Sequence, residues 1–165
     1  MTLKETNMDI VYSVNSPVKA DVLLELYKRV GLKKSALDIV QAFENSYYIT
    51  AWDGKQLIGF ARAISDKYYY TSIFDVVVKP EYQSKGIASG MLNLIMEEFQ
   101  GTDLILTYPE GNKDLYLKCG FKENDSAMMI PKDGPSRASM ELLEPKKNPF
   151  DVLEDGEDGE DQEDI

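Results

Sequence analysis

The sequence contains no histidine and a single cysteine, Cys119. The first absence removes the commonest general base, every Ser-His or Cys-His nucleophile pair and most transition-metal ligand patterns, so no metal site is expected. Proton transfer is left to carboxylates, Tyr, Lys, Cys, backbone or water. The second absence excludes an internal disulfide and fits a reducing, cytoplasmic setting. No run approaches the roughly 20 apolar residues of a membrane helix, and the first ten residues, MTLKETNMDI, lack the apolar core of a secretory signal. A surplus of basic charge is missing too. The net charge is −11, but residues 151–165 hold nine acids and no Lys or Arg, which leaves 20 acids against 18 bases, or −2, in the rest. With no basic stripe to neutralise phosphates, nucleic-acid binding has no support. Neither a nucleic-acid partner nor a membrane partner is expected.

What is present reads as one α/β domain over residues 1–144, followed by a linker and acidic tail over 145–165. The Asp/Glu/Gly composition of the tail cannot bury enough apolar surface to offset ordering entropy, so disorder is expected there. Within the domain, alternation predicts strands over 10–15, 47–52 and 56–64, the last two joined by a turn at Asp53-Gly54. A further strand is expected over 69–78. Its Val76-Val77-Val78 run suits burial on both faces. Helical spacing predicts a helix from about Ser16-Pro17 to Gly31, a second capped by Ser35, a third over 86–99 and a short one over 112–118. A short strand over 104–107 and closing strands over 127–130 and 139–143 complete the order β-α-α-β-β-β-α-β-α-β-β. Hairpins combined with crossovers make a mixed central sheet flanked by helices.

The chemistry-bearing feature is Gln83-Ser84-Lys85-Gly86-Ile87-Ala88, between a buried strand and a helix. Glycine lets backbone approach a ligand without a Cβ in the way. The first turn of a helix offers unpaired N–H groups and partial positive charge, which together suit a pyrophosphate. Lys85 can add a point charge. The turn is not a P-loop, because G-x-x-x-x-G-K-[ST] is absent. In the strand before it, Asp75 interrupts the apolar run Ile73-Phe74-Asp75-Val76-Val77-Val78, and a charge there needs a partner or a task.

The longer segment from Val76 to Ala88 resembles the acyl-CoA signature of the GNAT superfamily of N-acyltransferases, V-x-P-x-Y-[QR]-x-x-G-[IL]-[GA], with Lys79-Pro80-Glu81-Tyr82 completing it. A second segment, Asn112-Lys113-Asp114-Leu115-Tyr116-Leu117-Lys118-Cys119-Gly120-Phe121, resembles that family's N-x-x-x-x-Y-x-K-x-G-F. The likeness covers residues 8–143 and is nearest to the small bacterial-type branch. Ala88 departs from the commoner glycine, but the group needed there is its backbone N–H.

The resemblance implies the GNAT fold and transfer of an acetyl group from acetyl-CoA to a primary amine, on a small molecule or a protein, by direct attack through a tetrahedral intermediate. It implies that backbone groups of Val76, Val77 and Val78 hold the pantetheine arm, that Gln83, Ser84, Lys85, Gly86, Ile87 and Ala88 cradle the pyrophosphate, and that Asn112 contacts the arm or caps the helix. It makes Tyr116 the general acid for the departing thiolate. The family's usual glutamate base would fall near Ser72 to Phe74, where this chain has no acid. Asp75 is therefore the first candidate base, against a structural role for the same carboxylate, with Glu110 and Asp114 behind it. Trp52, Tyr68, Tyr69, Tyr70 and Tyr108 are candidates for lining an acceptor pocket, and Tyr27 with 29–32 for shaping access to it. A homodimer is compatible with the family. The alternative to an enzyme is a non-catalytic acyl-CoA-binding module.

Overall fold

The computed structural model describes residues 9–109 and 111–129. Among these residues, five strands form one mixed sheet in sequence order: β1 Ile10–Val14, β2 Tyr47–Asp53, β3 Gln56–Ser65, β4 Tyr70–Val78 and β5 Asp103–Leu106. The first three pairings are antiparallel and β4–β5 is parallel. Helices α1 Ala20–Arg29 and α2 Ala36–Glu44 follow β1, α3 Ile87–Glu98 is the crossover between β4 and β5, and α4 Lys113–Lys118 follows β5. One turn of 3-10 helix, Pro80–Tyr82, sits between β4 and α3.

Two apolar layers result from the alternation of the strands. Ile49, Ala61, Ala63, Ile73 and Val78 face α3 and α4 and pack with Ile87, Met91, Leu92, Ile95 and Tyr116. Leu57, Phe60 and Val77 face α1 and α2 and pack with Leu23, Leu26, Tyr27, Ile39 and Phe43. The sheet is thus covered on both sides, which explains why β3 reads as a nearly continuous apolar run rather than a clean alternation. The approach of α3 is set by Gly90: a Cβ there would overlap the hydroxyl oxygen of Tyr12 on β1 and lie 2.6 Å from its Cζ.

Local chemistry accounts for most boundaries. Ser35 Oγ accepts the Asp38 N–H at 3.1 Å and caps α2 as expected. The β3–β4 turn is gathered by Asp66, whose carboxylate accepts the amides of Tyr68, Tyr69 and Tyr70 at 2.9, 2.8 and 3.0 Å. Those three bonds to the charged form hold the Asp66 carboxyl below its ordinary range. Two expectations need correction. Helix α1 starts at Ala20, with Lys19 at its N-cap and no side-chain cap, rather than at Ser16-Pro17. The strand expected over 127–130 is absent from 127–129: those residues pair with no ladder, and Met128 and Met129 lie exposed. A strand needs a partner, and alternation alone does not supply one.

The chain separates into two units, Met1–Glu123 and Asn124–Ile165. In the second, the described residues form a turn in which Ser126 N–H donates to Asn124 Oδ1 at 3.0 Å. The segment expected to close the sheet over 139–143, the linker and the acidic tail lie outside the described residues.

Candidate functional site

The central irregularity of the sheet is in β4. Val77 is opposite Phe60, yet Phe74 is opposite Arg62, so Asp75 and Val76 share the single position facing Ala61. This is a β-bulge, and Asp75 takes the left-handed conformation within it, at φ +48°. The bulge resets the alternation of side chains. Phe74 and Asp75 both face the α1/α2 side, as shown by the Arg62 guanidinium over the Phe74 ring at 5.9 Å and the Asp75 carboxylate on Tyr27.

The bulge coincides with the end of the β4–β5 ladder. Parallel pairing runs from Tyr70–Asp103 to Ile73–Leu106 and stops. From Phe74 to Val78 the edge of β4 that faces away from β3 has no strand partner among the described residues. Lys79 N–H donates to Ile58 O at 2.8 Å, and the antiparallel alternation then turns the Val78 amide groups away from β3, toward that open edge. The side chain of Gln83 folds back to donate from Nε2 to Val78 O at 2.9 Å, tying the following turn to the strand end.

The turn itself uses two left-handed residues, Ser84 at φ +60° and Gly86 at φ +81°, the second being the N-cap of α3. Nothing lies within 4 Å of a Cβ built on Gly86, so the space above it is open. The first bond of α3 is Gly90 N–H to Gly86 O at 2.9 Å. The amides of Gly86, Ile87, Ala88 and Ser89 therefore make no hydrogen bond among the described residues. Four converging donors at the positive end of a twelve-residue helix make a cradle for an anion. Lys85 brings its ammonium over the Tyr82 ring at 5.4 Å, and Tyr82 Oη donates to Asp53 Oδ2 at 2.8 Å, fixing the outer wall.

Helix α4 closes the other side. Cys119 Sγ reaches Ser89 Oγ at 3.9 Å, so the end of α4 meets the first turn of α3. Tyr116 is 6 % exposed and packs in the same layer as Val78 and Ile87, with Val76 and Ala88 against it. Its ring lies 5.8 Å from Tyr108 and 6.1 Å from Phe121. Its hydroxyl makes no hydrogen bond among the described residues, yet no sealed side-chain oxygen is left unpaired there, so this oxygen reaches accessible space. Burial pushes the phenol up from its ordinary value, with the neighbouring Cys119 adding to the rise.

Of the residues singled out from sequence, Val76, Val78, Ile87, Ala88 and Tyr116 come together around one layer, with Gln83, Ser84, Lys85 and Gly86 at its rim. Val77 faces the opposite layer, and its backbone lies opposite Phe60. Asn112 occupies the N-cap of α4, exposed, with no side-chain capping bond. Asp75 is held by three donors on one oxygen: Tyr27 Oη at 2.8 Å, Arg62 Nε at 2.9 Å and Arg62 Nη2 at 2.7 Å, all to Oδ2. Asp114 lies exposed in the first turn of α4, and Glu110 falls outside the described residues. The aromatic candidates do not converge. Trp52 donates its Nε1–H to Thr50 Oγ1 at 2.9 Å and packs on the α1/α2 layer, Tyr68, Tyr69 and Tyr70 are exposed at the β3–β4 turn, and only Tyr108 touches Tyr116. Sequence reasoning missed Arg62. A lone guanidinium inside Leu57–Ile64, an otherwise apolar run, was the available signal.

Comparison with known proteins bears on this arrangement. A family model described as the acetyltransferase (GNAT) domain matches residues 44–123. An uncharacterized N-acetyltransferase ycf52 from Pyropia yezoensis is 30% identical over 122 residues, covering 68% of this chain and 70% of the relative. Another ycf52 protein, from Gracilaria tenuistipitata var. liui, is 31% identical over 105 residues. That match covers 60% of this chain and 58% of the relative, so the chain spans little more than half the length of this relative. Among solved structures, a probable acetyltransferase from meticillin-resistant Staphylococcus aureus superposes with a TM-score of 0.68 at 21% identity, covering 74% of this chain and 98% of the other. It shares the mixed sheet flanked by helices.

Proposed function

This chain belongs to the GNAT acetyltransferase family, and we propose that it transfers an acetyl group from acetyl-CoA to a primary amine. The observation that carries the proposal is the continuity of three features. Among the described residues, a β4 edge with no strand partner runs into a left-handed glycine turn with four unbonded amides, and a buried tyrosine ring presents an unbonded hydroxyl beside them. This donor set fits a pantetheine arm ending in a diphosphate: strand-edge amides suit an extended amide chain, and a helix N-terminus suits phosphate. Acetyl-CoA supplies the activated acyl group as a thioester.

The chain's own groups then have separable tasks. The Val76 to Val78 edge binds and aligns the arm. The amides of Gly86, Ile87 and Ala88 take the diphosphate, with Gln83 and Ser84 shaping the turn and the Lys85 charge adding attraction. Strand-edge N–H groups stabilise negative charge on the carbonyl oxygen, at about 2.7–4 kcal/mol for one well-placed donor. Tyr116 donates its proton toward the departing sulfur. The amine must lose a proton. With no histidine in the chain, we assign that step to water, with Glu110 and Asp114 as the further carboxylate candidates, and give Asp75, whose Oδ2 takes three donors, a positioning role. Asn112, exposed at the start of α4, is assigned a contact to the arm.

Both a small molecule and a protein amine remain in the proposal as acceptors. We place the catalytic domain over 1–144 with the acidic segment outside it. The proposed location is cytoplasmic, beside two Arabidopsis thaliana relatives that are named chloroplastic. No helix among the described residues is long and apolar enough to cross a membrane.

The test is calorimetry with CoA and acetyl-CoA, followed by release of free thiol with a panel of amines that includes arylalkylamines and lysine peptides. Micromolar uptake with amine-dependent thiol release is expected. Uptake without release from any amine would make the protein a binding module. No uptake of either compound would remove the proposal.

A further inference from the structure

Asp75 and Arg62 are ionisable groups set into the adjacent strands β4 and β3 of an apolar sheet, and each has the other as its partner. The side chain of Arg62 is 11% exposed and that of Asp75 17%. The guanidinium is used on every side. Nε and Nη2 donate to Asp75 Oδ2, Nη1 donates to Ala42 O at 3.2 Å and to Ser46 Oγ at 3.3 Å, and Cζ lies over the rings of Phe43 and Phe74, 5.6 and 5.9 Å from their centroids. Tyr27, 2% exposed in α1, adds the third donor to the same carboxylate oxygen.

This network acts on one backbone position. Regular alternation would turn the residue after Phe74 toward the α3 layer, where a carboxylate would meet Ile73, Met91 and Ile95. The left-handed turn at Asp75 brings the carboxylate to Arg62 and Tyr27 instead, just past the last β4–β5 pair, Ile73–Leu106. The side-chain bonds therefore hold the backbone shape at the start of the open edge.

We propose that Tyr27, Arg62 and Asp75 form a positioning device that locks the β4 bulge and thereby presents the open strand edge to the acyl-CoA arm. Asp75 is a positioning residue in this device, and the amine's proton goes elsewhere. The inference rests on the acetyltransferase reading above and names a control element of that same site.

Three proteins test it as full chains: wild type, Tyr27→Phe and Asp75→Asn. Tyr27→Phe removes one bond to a charged group while keeping the buried ring, and a rise of about 3–10-fold in the Kd for CoA is expected. Asp75→Asn keeps a residue type that tolerates the left-handed region, and a rise of about tenfold or more is expected. In both, kcat falls by less than the Kd rises, and the shape of the pH–rate profile is that of wild type. Loss of stability alone lowers the active fraction and leaves Kd unchanged. If Asp75→Asn does not fold, because Arg62 is left without its carboxylate, Tyr27→Phe carries the test.

Two results would overturn the proposal. One is an Asp75→Asn protein with wild-type CoA affinity, turnover lower by a hundredfold or so and a missing limb in its pH profile, which is the behaviour of a base. The other is unchanged Kd in every folded variant. Failure of the wild-type protein to bind CoA is a separate outcome, which removes the functional reading and this inference with it.

Discussion

Replacing Tyr116 by phenylalanine separates chemistry from packing. The ring is buried against Val78, Ile87 and Phe121, and phenylalanine keeps all of that surface. The hydroxyl makes no hydrogen bond among the described residues, so its removal forfeits none of the roughly 1 kcal/mol that an ordinary bond contributes. The expected stability change is below about 0.5 kcal/mol, or under about 2 °C in Tm for a domain of this size. Turnover behaves differently. The leaving thiolate has a conjugate acid near 8.5 if it resembles cysteine, and an ordinary phenol sits near 10, so complete proton transfer is uphill by about 2 kcal/mol. Burial raises the Tyr116 phenol further and widens that gap. The hydroxyl therefore helps by partial transfer, and the expected loss is about 10–100-fold in kcat, or about 1.4–2.7 kcal/mol. The Kd for acetyl-CoA should stay within about twofold, since the groups proposed to hold the arm and the diphosphate are untouched. Stopped assays of thiol release, calorimetry and a thermal melt on the same preparation check all three. Wild-type kcat in a folded Tyr116→Phe protein would refute the acid assignment. A Tm drop of 5 °C or more would refute the claim that the hydroxyl is unbonded.

Gly86→Ala places a side chain at φ +81° in open space, so its cost is conformational alone, roughly 1–2 kcal/mol; the Kd for CoA should rise by about 5–30-fold as the turn relaxes, and Gly86→Asn should recover part of that, by calorimetry. Gly90→Ala should destabilise despite a helix-propensity gain of up to about 1 kcal/mol, because the new Cβ overlaps Tyr12, and the sign should reverse in a Tyr12→Ala background, by denaturant titration. Tyr27 and Tyr116 both have folded-state values above the ordinary 10.0. A raised value means that the folded state keeps its proton where the unfolded chain has lost it, so the contribution of these two groups to stability should be level below about pH 10 and decline above it, with a shallower decline in Tyr27→Phe.

Much of the scaffold could be read from the residues because the relevant signals are local. Asp53-Gly54, Ser35 and Gly31 mark ends that depend only on turn geometry and capping, and the apolar spacing inside the four helices follows from one buried face each. The left-handed turn before α3 was legible for the same reason, since Gly86 and the strand before it are close in sequence. The bulge was not. A left-handed aspartate in a strand has no sequence mark of its own, and its partners sit 48 and 13 residues away. Only its charges were available: Arg62 and Asp75 are lone charges of opposite sign in two apolar strands, but a two-residue turn at Asp66-Lys67 would set Arg62 opposite Thr71, and it is the longer connection over 66–70 that sets it opposite Phe74, beside Asp75. Gly90 was invisible because its reason is a tyrosine on β1, and the segment at 127–129 was misread because alternation does not reveal whether a neighbour exists.

Strand β4 is one residue longer than its antiparallel partner requires. Excising Asp75 would leave Val77 across from Phe60 and Val78 across from Gly59, so everything downstream would keep its place. The shortened strand would run straighter. The bend in this sheet is thus a matter of surplus length, inserted at a single point and held there by a neighbouring arginine.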